Sequence, residues 1–177
     1  MKPFIFLLAL MALLSACGTK TTESTTATDS ISVDSTVQAD TPAPAILAFS
    51  QLAGYTVRNT VGLSDSVNFI FLSNQQELDK QFVADKASST AFSTPDFLIN
   101  HTFAVVCLPS RQMTTIVLDK VELGDAINVY LTIERGEMQA FTSKPAQVFS
   151  IEKRDGFSTM QFFVNGKESK AIMLPVN

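Results

Sequence analysis

Chemistry near neutral pH needs a group that titrates there, or a nucleophile held beside one, and this chain of 177 residues has few of either. It carries one histidine, His101, and two cysteines, Cys17 and Cys107. A triad of Ser110, His101 and Asp96 can be written down, but no Gly-x-Ser-x-Gly elbow surrounds Ser110. The expectation is a structural or surface histidine and no catalytic residue. Cys107 sits inside the apolar run Phe103–Leu108 and reads as a small core residue, since a nucleophilic thiol wants partial exposure and a neighbouring base. Zinc takes several His or Cys ligands, and one of each beyond Cys17 excludes such a site within one chain. Glu122 and Asp125 flank a turn without the Asp-x-Asp-x-Asp-Gly spacing of a calcium loop, so they read as solvated carboxylates. No glycine-rich phosphate loop follows a strand, and no motif singles out Glu134 and Glu152 as an acid–base pair. The residues predict neither a metal nor a cofactor.

Cys17 has a different context. Lys2 gives a positive start, and Phe4–Leu14 is an uncharged apolar stretch, shorter than the roughly 20 residues that span a bilayer core but of secretory-signal length. It runs into Leu14-Ser15-Ala16-Cys17, which resembles the bacterial lipobox. That resemblance implies a signal peptide over residues 1–16 and lipidation of the Cys17 thiol. Acyl chains contribute about 0.8 kcal/mol per buried CH₂, so several of them would hold a domain firmly to a membrane. Gly18 rather than Asp follows the cysteine, so the inner-membrane retention rule of some bacteria does not apply, and the expected location is the cell envelope at the outer membrane. Lys2 is the only charge in residues 1–16, which leaves 12 basic against 17 acidic residues beyond them. A chain so balanced is not expected to bind nucleic acid, which takes clustered Lys and Arg.

Residues 17–45 read as the lipidated cysteine and a disordered tether: 12 of the 28 residues 18–45 are Ser or Thr and none is aromatic, too little apolar area to offset chain entropy. Asp29-Ser30-Ile31 and Asp34-Ser35-Thr36 resemble the Asp-Ser/Thr-aliphatic O-glycosylation motif of some bacterial envelope proteins, which makes Ser30 and Ser35 candidate sites.

Residues 46–177 read as one domain. Ile127, Val129, Leu131 and Ile133 alternate with polar or amphipathic residues as in a strand with one buried face, expected to end at Gly136. The preceding strand changes parity between Ile116/Leu118 and Val121/Leu123, which predicts a bulge near Asp119-Lys120 and a three-residue loop Gly124-Asp125-Ala126. Asn165-Gly166 predicts a type I′ hairpin between 158–164 and 167–174, and Arg154-Asp155-Gly156 a second hairpin after the strand at 148–153. The apolar runs Val67–Leu72 and Thr102–Leu108 read as central strands, buried on both faces. One helix is predicted, capped by Ser73 with Gln76 completing the box and with Leu78 and Phe82 on one face. The sum is a mainly antiparallel β domain, a sandwich or partly closed barrel with one short helix.

Over roughly residues 66–166 this order resembles the C-terminal domain of the PrcB-like family. The residues that carry it are Ser73 with Glu77–Phe82, Pro95-Asp96-Phe97, the strand Phe103–Leu108, Thr142–Pro145, Val148–Lys153 and Gln161–Gly166. The family takes its name from a lipoprotein subunit that associates with and stabilises a surface protease. The resemblance therefore implies a non-catalytic accessory module whose partner is an envelope protein such as a protease. Where many members carry a Thr-Gly-Gly-Tyr-like turn, this chain has Arg111-Gln112-Met113-Thr114-Thr115-Ile116. Arg111, Gln112 and Met113 are therefore candidate partner-binding residues, as are Gly124 and Asp125 in the hairpin loop. Met113 and Met138 read as core filler in preference to an adaptable contact surface. The alternatives are a small envelope hydrolase or protease inhibitor, which would need a cleft converging on His101 and a carboxylate, and a passive ligand-binding lipoprotein with an enclosed apolar pocket.

Overall fold

Apolar residues at every second position make strands, and the way short strands bridge two sheets decides how this domain closes. The computed structural model describes residues 44–84 and 92–175, all inside the compact unit Thr41–Asn177. Cys17, Ser30, Ser35, the signal segment and most of the tether lie outside the described residues. Of the described residues 62% lie in strands and 6% in helix, so the domain is mainly β, as expected.

In chain order the elements are β1 (Ala45–Leu47), β2 (Phe49–Leu52), β3 (Tyr55–Val57), β4 (Val67–Leu72), α1 (Gln75–Gln81), β5 (Phe82–Ala84), β6 (Asn100–Cys107), β7 (Ser110–Leu123), β8 (Ile127–Ser143), β9 (Ala146–Glu152), β10 (Thr159–Val164) and β11 (Lys167–Met173). One sheet has the order β1-β7-β8-β10-β11, the second β2-β9-β6-β4, and β3 pairs with β5 alone. Neither larger sheet closes into a barrel. They face each other as a sandwich, and β1 and β2 form one run that crosses from the edge of the first sheet to the edge of the second. All pairings are antiparallel except β8 with β10.

β6 explains the layering. Its side chains alternate, Phe103, Val105 and Cys107 to one side and Ala104 and Val106 to the other, and all five are buried. The first set meets Ile116, Leu118 and Val121 of β7, Val129 and Leu131 of β8 and Phe162 of β10 between the sheets. Phe69, Phe103, Phe149 and Phe162 form the centre of that core, with Phe69 stacked on Phe162 at 4.3 Å between ring centroids. Fully burying such a side chain contributes about 1.5–3 kcal/mol. The second set meets Leu78 of α1, Phe82 of β5 and Val57 of β3, so the helix and the small β3–β5 pair cover the outer face of the second sheet. The expectation of strands buried on both faces holds for β6 throughout and for β4 in part.

The bulge and both predicted short loops are present. Leu118 pairs with Leu131 and Lys120 with Tyr130, leaving Asp119 as the extra residue; Leu123 then pairs with Ile127 around Gly124–Ala126. Asn165 and Gly166 have φ values of 50° and 76°, as a type I′ turn requires.

Four expectations are corrected. β8 does not end at Gly136 but runs to Ser143, because a bulged ribbon with β7 continues past the buried stretch. Arg154–Gly156 does not close a hairpin: β9 belongs to the second sheet and β10 to the first, so the turn carries the chain across the core. The helix cap is one residue later than predicted. Asn74 accepts from the Glu77 N–H at 2.9 Å, and the Glu77 carboxylate, rather than Gln76, reaches back to the Ser73 N–H and hydroxyl. Those bonds hold the Glu77 carboxyl below its usual range. Met113 and Met138 are not core filler, as described next.

Candidate functional site

The ribbon β7–β8 bends where it leaves the sandwich, and the bend is built by unequal strand lengths. Ser110 pairs with Ser143, Gln112 with Met138 and Thr114 with Arg135, so β8 carries extra residues at two bulges against a nearly continuous β7. Extra residues in one strand push side chains out of the pleat. Met113, Met138 and Phe141 are 51%, 65% and 63% exposed. The corner is nevertheless fixed: Arg111 Nε donates to the Gln139 carbonyl at 3.3 Å, the Gln112 N–H donates to the Ser110 hydroxyl at 2.9 Å, and Met113 lies over Gly136, where an added Cβ would meet its methyl at 3.3 Å. Gln139 Oε1 is buried without a partner. Arg111, Gln112 and Met113 therefore lie at the same end of the ribbon as Met138 and Phe141, with Met138 on the face of Gln112 and Met113 on the other, an arrangement not legible in the sequence because the bulges that create it lie beyond the assumed end of the strand.

Gly124 and Asp125 are not part of this corner. They form the tip at the other end of β7, up to about 36 Å from Met113 at roughly 3.3 Å per residue. Beside that tip, Lys120 Nζ pairs with Glu122 at 2.7 Å and lies 4.6 Å from the Tyr130 ring centroid, so Glu122 is engaged in a surface cluster. Its carboxyl is held below the ordinary range by the Lys120 contact.

The residues of the imagined triad are dispersed. His101 is near the start of β6 and Ser110 opens β7, beyond the far end of β6, while the Asp96 carboxylate accepts the Leu98 N–H at 2.9 Å in the turn before β6. Glu134 is on the first sheet, whereas Glu152 ends β9 on the second and pairs with Arg154 at 2.7 Å. His101 is 5% exposed, its Nδ1 has no hydrogen-bond partner, and its ring lies 5.8 Å from that of Phe71. Burial, with a smaller contribution from Lys153, pushes its pKa down and keeps it neutral. It lines an open cleft of about 310 Å³ with Arg154, Asp155, Gly156, Phe157, Ser158 and Pro175. A carboxylate and a hydroxyl thus share the cleft with His101, yet no hydrogen bond joins either to the imidazole. Cys107 is buried between the sheets, and desolvation pushes its thiol up, away from the reactive thiolate.

Opposite the β1–β2 run, the sandwich stays open. A groove of about 440 Å³ separates the edge strands β4 and β11, with Val67, Phe69 and Val164 inside and Asp65, Lys167, Glu168 and Lys170 around it. Among the described residues no three His, Cys, Asp or Glu side chains converge as metal ligands, and no helix is long and apolar enough to cross a membrane.

Among the described residues, fold and surface together define a β sandwich with one helix, open surface clefts and exposed apolar side chains on the distal ribbon. No family model, curated protein or solved structure matches the chain.

Proposed function

We propose that this chain is an envelope lipoprotein, held to the outer membrane through Cys17, whose sandwich binds and supports a partner protein without catalysis of its own. The observation that carries the reading is the apolar end of the β7–β8 ribbon: Met113 on one face and Met138 on the other, with Phe141 further along β8, stand in solvent on a ribbon whose backbone is pinned by Arg111. Ordered, exposed apolar side chains are the usual sign of a surface that another protein covers, and methionine adapts its shape to such a surface. The PrcB-like resemblance supports a protease as that partner, and the altered turn at Arg111–Met113 falls in the same corner.

The test is a photo-crosslinking residue in place of Met138 in the lipidated protein, in its own envelope, with a second in place of Leu98 as control. Recovery of one protein from position 138 alone, lost on Phe141→Asp, supports the proposal. Equal recovery from both positions, or none from 138, overturns it.

A hydrolase is the second reading, because Asp155 and Ser158 share the cleft with His101. Turnover of ester or peptide substrates by the purified protein, abolished by His101→Ala, would displace the accessory reading.

A further inference from the structure

A second apolar surface lies at the end of the sandwich opposite the Met138 corner. In the turn before β6, Leu98 and Ile99 are adjacent and 87% and 61% exposed. The turn is rigid. The Asp96 carboxylate accepts from Leu98 and its carbonyl from Asn100, Lys153 Nζ donates to the Phe97 carbonyl at 2.9 Å, and the Lys153 N–H donates to the Ile99 carbonyl at 2.9 Å. Four hydrogen bonds hold two aliphatic side chains out in water.

Strand register places other residues at the same end. In the first sheet Ala45 pairs with Leu123 and Leu123 with Ile127, Ile127 with Met160, and the neighbouring Thr159 with Met173. In the second sheet Phe49 pairs with Ile151, and Ile151 with His101. Ile46 and Met173, both exposed, thus share this end with Leu98 and Ile99. So does Ala45, where the segment that leads back to Cys17 joins the domain.

We infer that this end rests on the lipid surface, with Leu98 and Ile99 set into the boundary between headgroups and acyl chains. The inference rests on the lipoprotein reading. Rigidly held, exposed aliphatic side chains at the end where the anchoring segment joins the domain are suited to an interfacial membrane contact. The 26 residues between Cys17 and Pro44 reach at most about 90 Å when fully extended, so an anchored Cys17 would confine the domain to the vicinity of the bilayer. Confinement of that kind raises the effective concentration of bilayer at the domain, which favours even a weak contact. The contact also turns the Met138 corner away from the membrane, towards a partner.

The chain has no tryptophan, so one introduced indole reports on its own site. Acylated protein carrying Leu98→Trp, Ile99→Trp or Phe141→Trp would be reconstituted in vesicles of phosphatidylcholine and phosphatidylglycerol in equal parts, with and without brominated acyl chains. The expected result is blue-shifted emission, at least halved by bromine, for Leu98→Trp and Ile99→Trp, and unshifted, unquenched emission for Phe141→Trp. Flotation of the vesicles reads the anchor separately. Protein that floats but shows no quenching at 98 and 99, or equal quenching at 141, overturns this inference and leaves the anchor standing. Protein that does not float overturns both.

Discussion

His101 is the residue where sequence and structure meet most closely: the expectation of a structural histidine fits its 5% exposure, and its neutral state has a thermodynamic consequence. Its pKa in the folded chain lies below the ordinary value of about 6.5, because burial penalises the imidazolium and Lys153 adds like-charge repulsion. The unfolded chain therefore binds more protons than the folded one just below pH 6.5, and stability falls as pH drops through that value towards the folded pKa, then levels off. The other charged side chains around the cleft are Glu152, Arg154 and Asp155. The difference in urea midpoint between the parent and His101→Gln should thus narrow between about pH 7 and pH 5. A constant difference across that window would mean that the imidazole is not held neutral. Asn165 shows what the sequence could not say at this scale. Its turn was legible from Asn-Gly, but its side chain also bonds both the N–H and the carbonyl of Ile133 on β8, at 2.9 and 3.1 Å, extending the parallel pairing past the end of β10. No local pattern encodes a contact 32 residues away.

Elements were legible where one face is buried and a turn fixes register. The parity change in β7 located Asp119 as a bulge because a strand with one buried face cannot shift by one residue without turning its apolar set outward. Deleting Val117, a paired residue outside the bulge, forces that shift: Leu118, buried in the core, would turn outward. The expected cost is about 1.5–3 kcal/mol in chemical denaturation, the value of one buried Leu. Deleting Asp119 leaves Lys120 on Tyr130 and Val121 on Val129 and should cost clearly less, and Asp119→Ala, which loses only a surface hydrogen bond from Thr132 at 2.8 Å, should stay within about 0.5 kcal/mol of the parent. Equal costs for the two deletions would show that Asp119 is not the residue that absorbs the parity change. Elements without a buried face were not legible. The distal half of β8 is exposed, so Gly136 read as its end. The strands β1, β2 and β3 have only three or four residues each, too few for a period to show. The helix was found from Leu78 and Phe82, but Ser73 and Asn74 are both good caps, and only the direction of the backbone chooses Asn74.

At the scale of the whole molecule, sheet membership was the missing quantity. The hairpin pattern said which strands follow one another, not that β9 and β10 sit in opposite sheets, because a glycine turn serves a crossover as well as a hairpin. That membership sets the mechanics of the domain. β6 is paired on both sides, by β4 and β9, and is buried on both faces, so its amides open only when both cores come apart. β11 is an edge strand, almost wholly exposed, beside the open groove, and its charged Lys167, Glu168 and Lys170 keep that edge from pairing with another chain. Hydrogen exchange should therefore be graded across the molecule: β6 and β9 slowest, near the global unfolding free energy, the buried half of β8 next, and β11 with the distal half of β8 fastest among the strands. A partner that covers the Met138 corner would slow the distal half of β8 and leave β11 unchanged, whereas one that added a strand to the open edge would slow β11 first. Protection of β11 equal to that of β6 in the isolated protein would mean that the groove is already closed, and that the edge is no surface for binding at all.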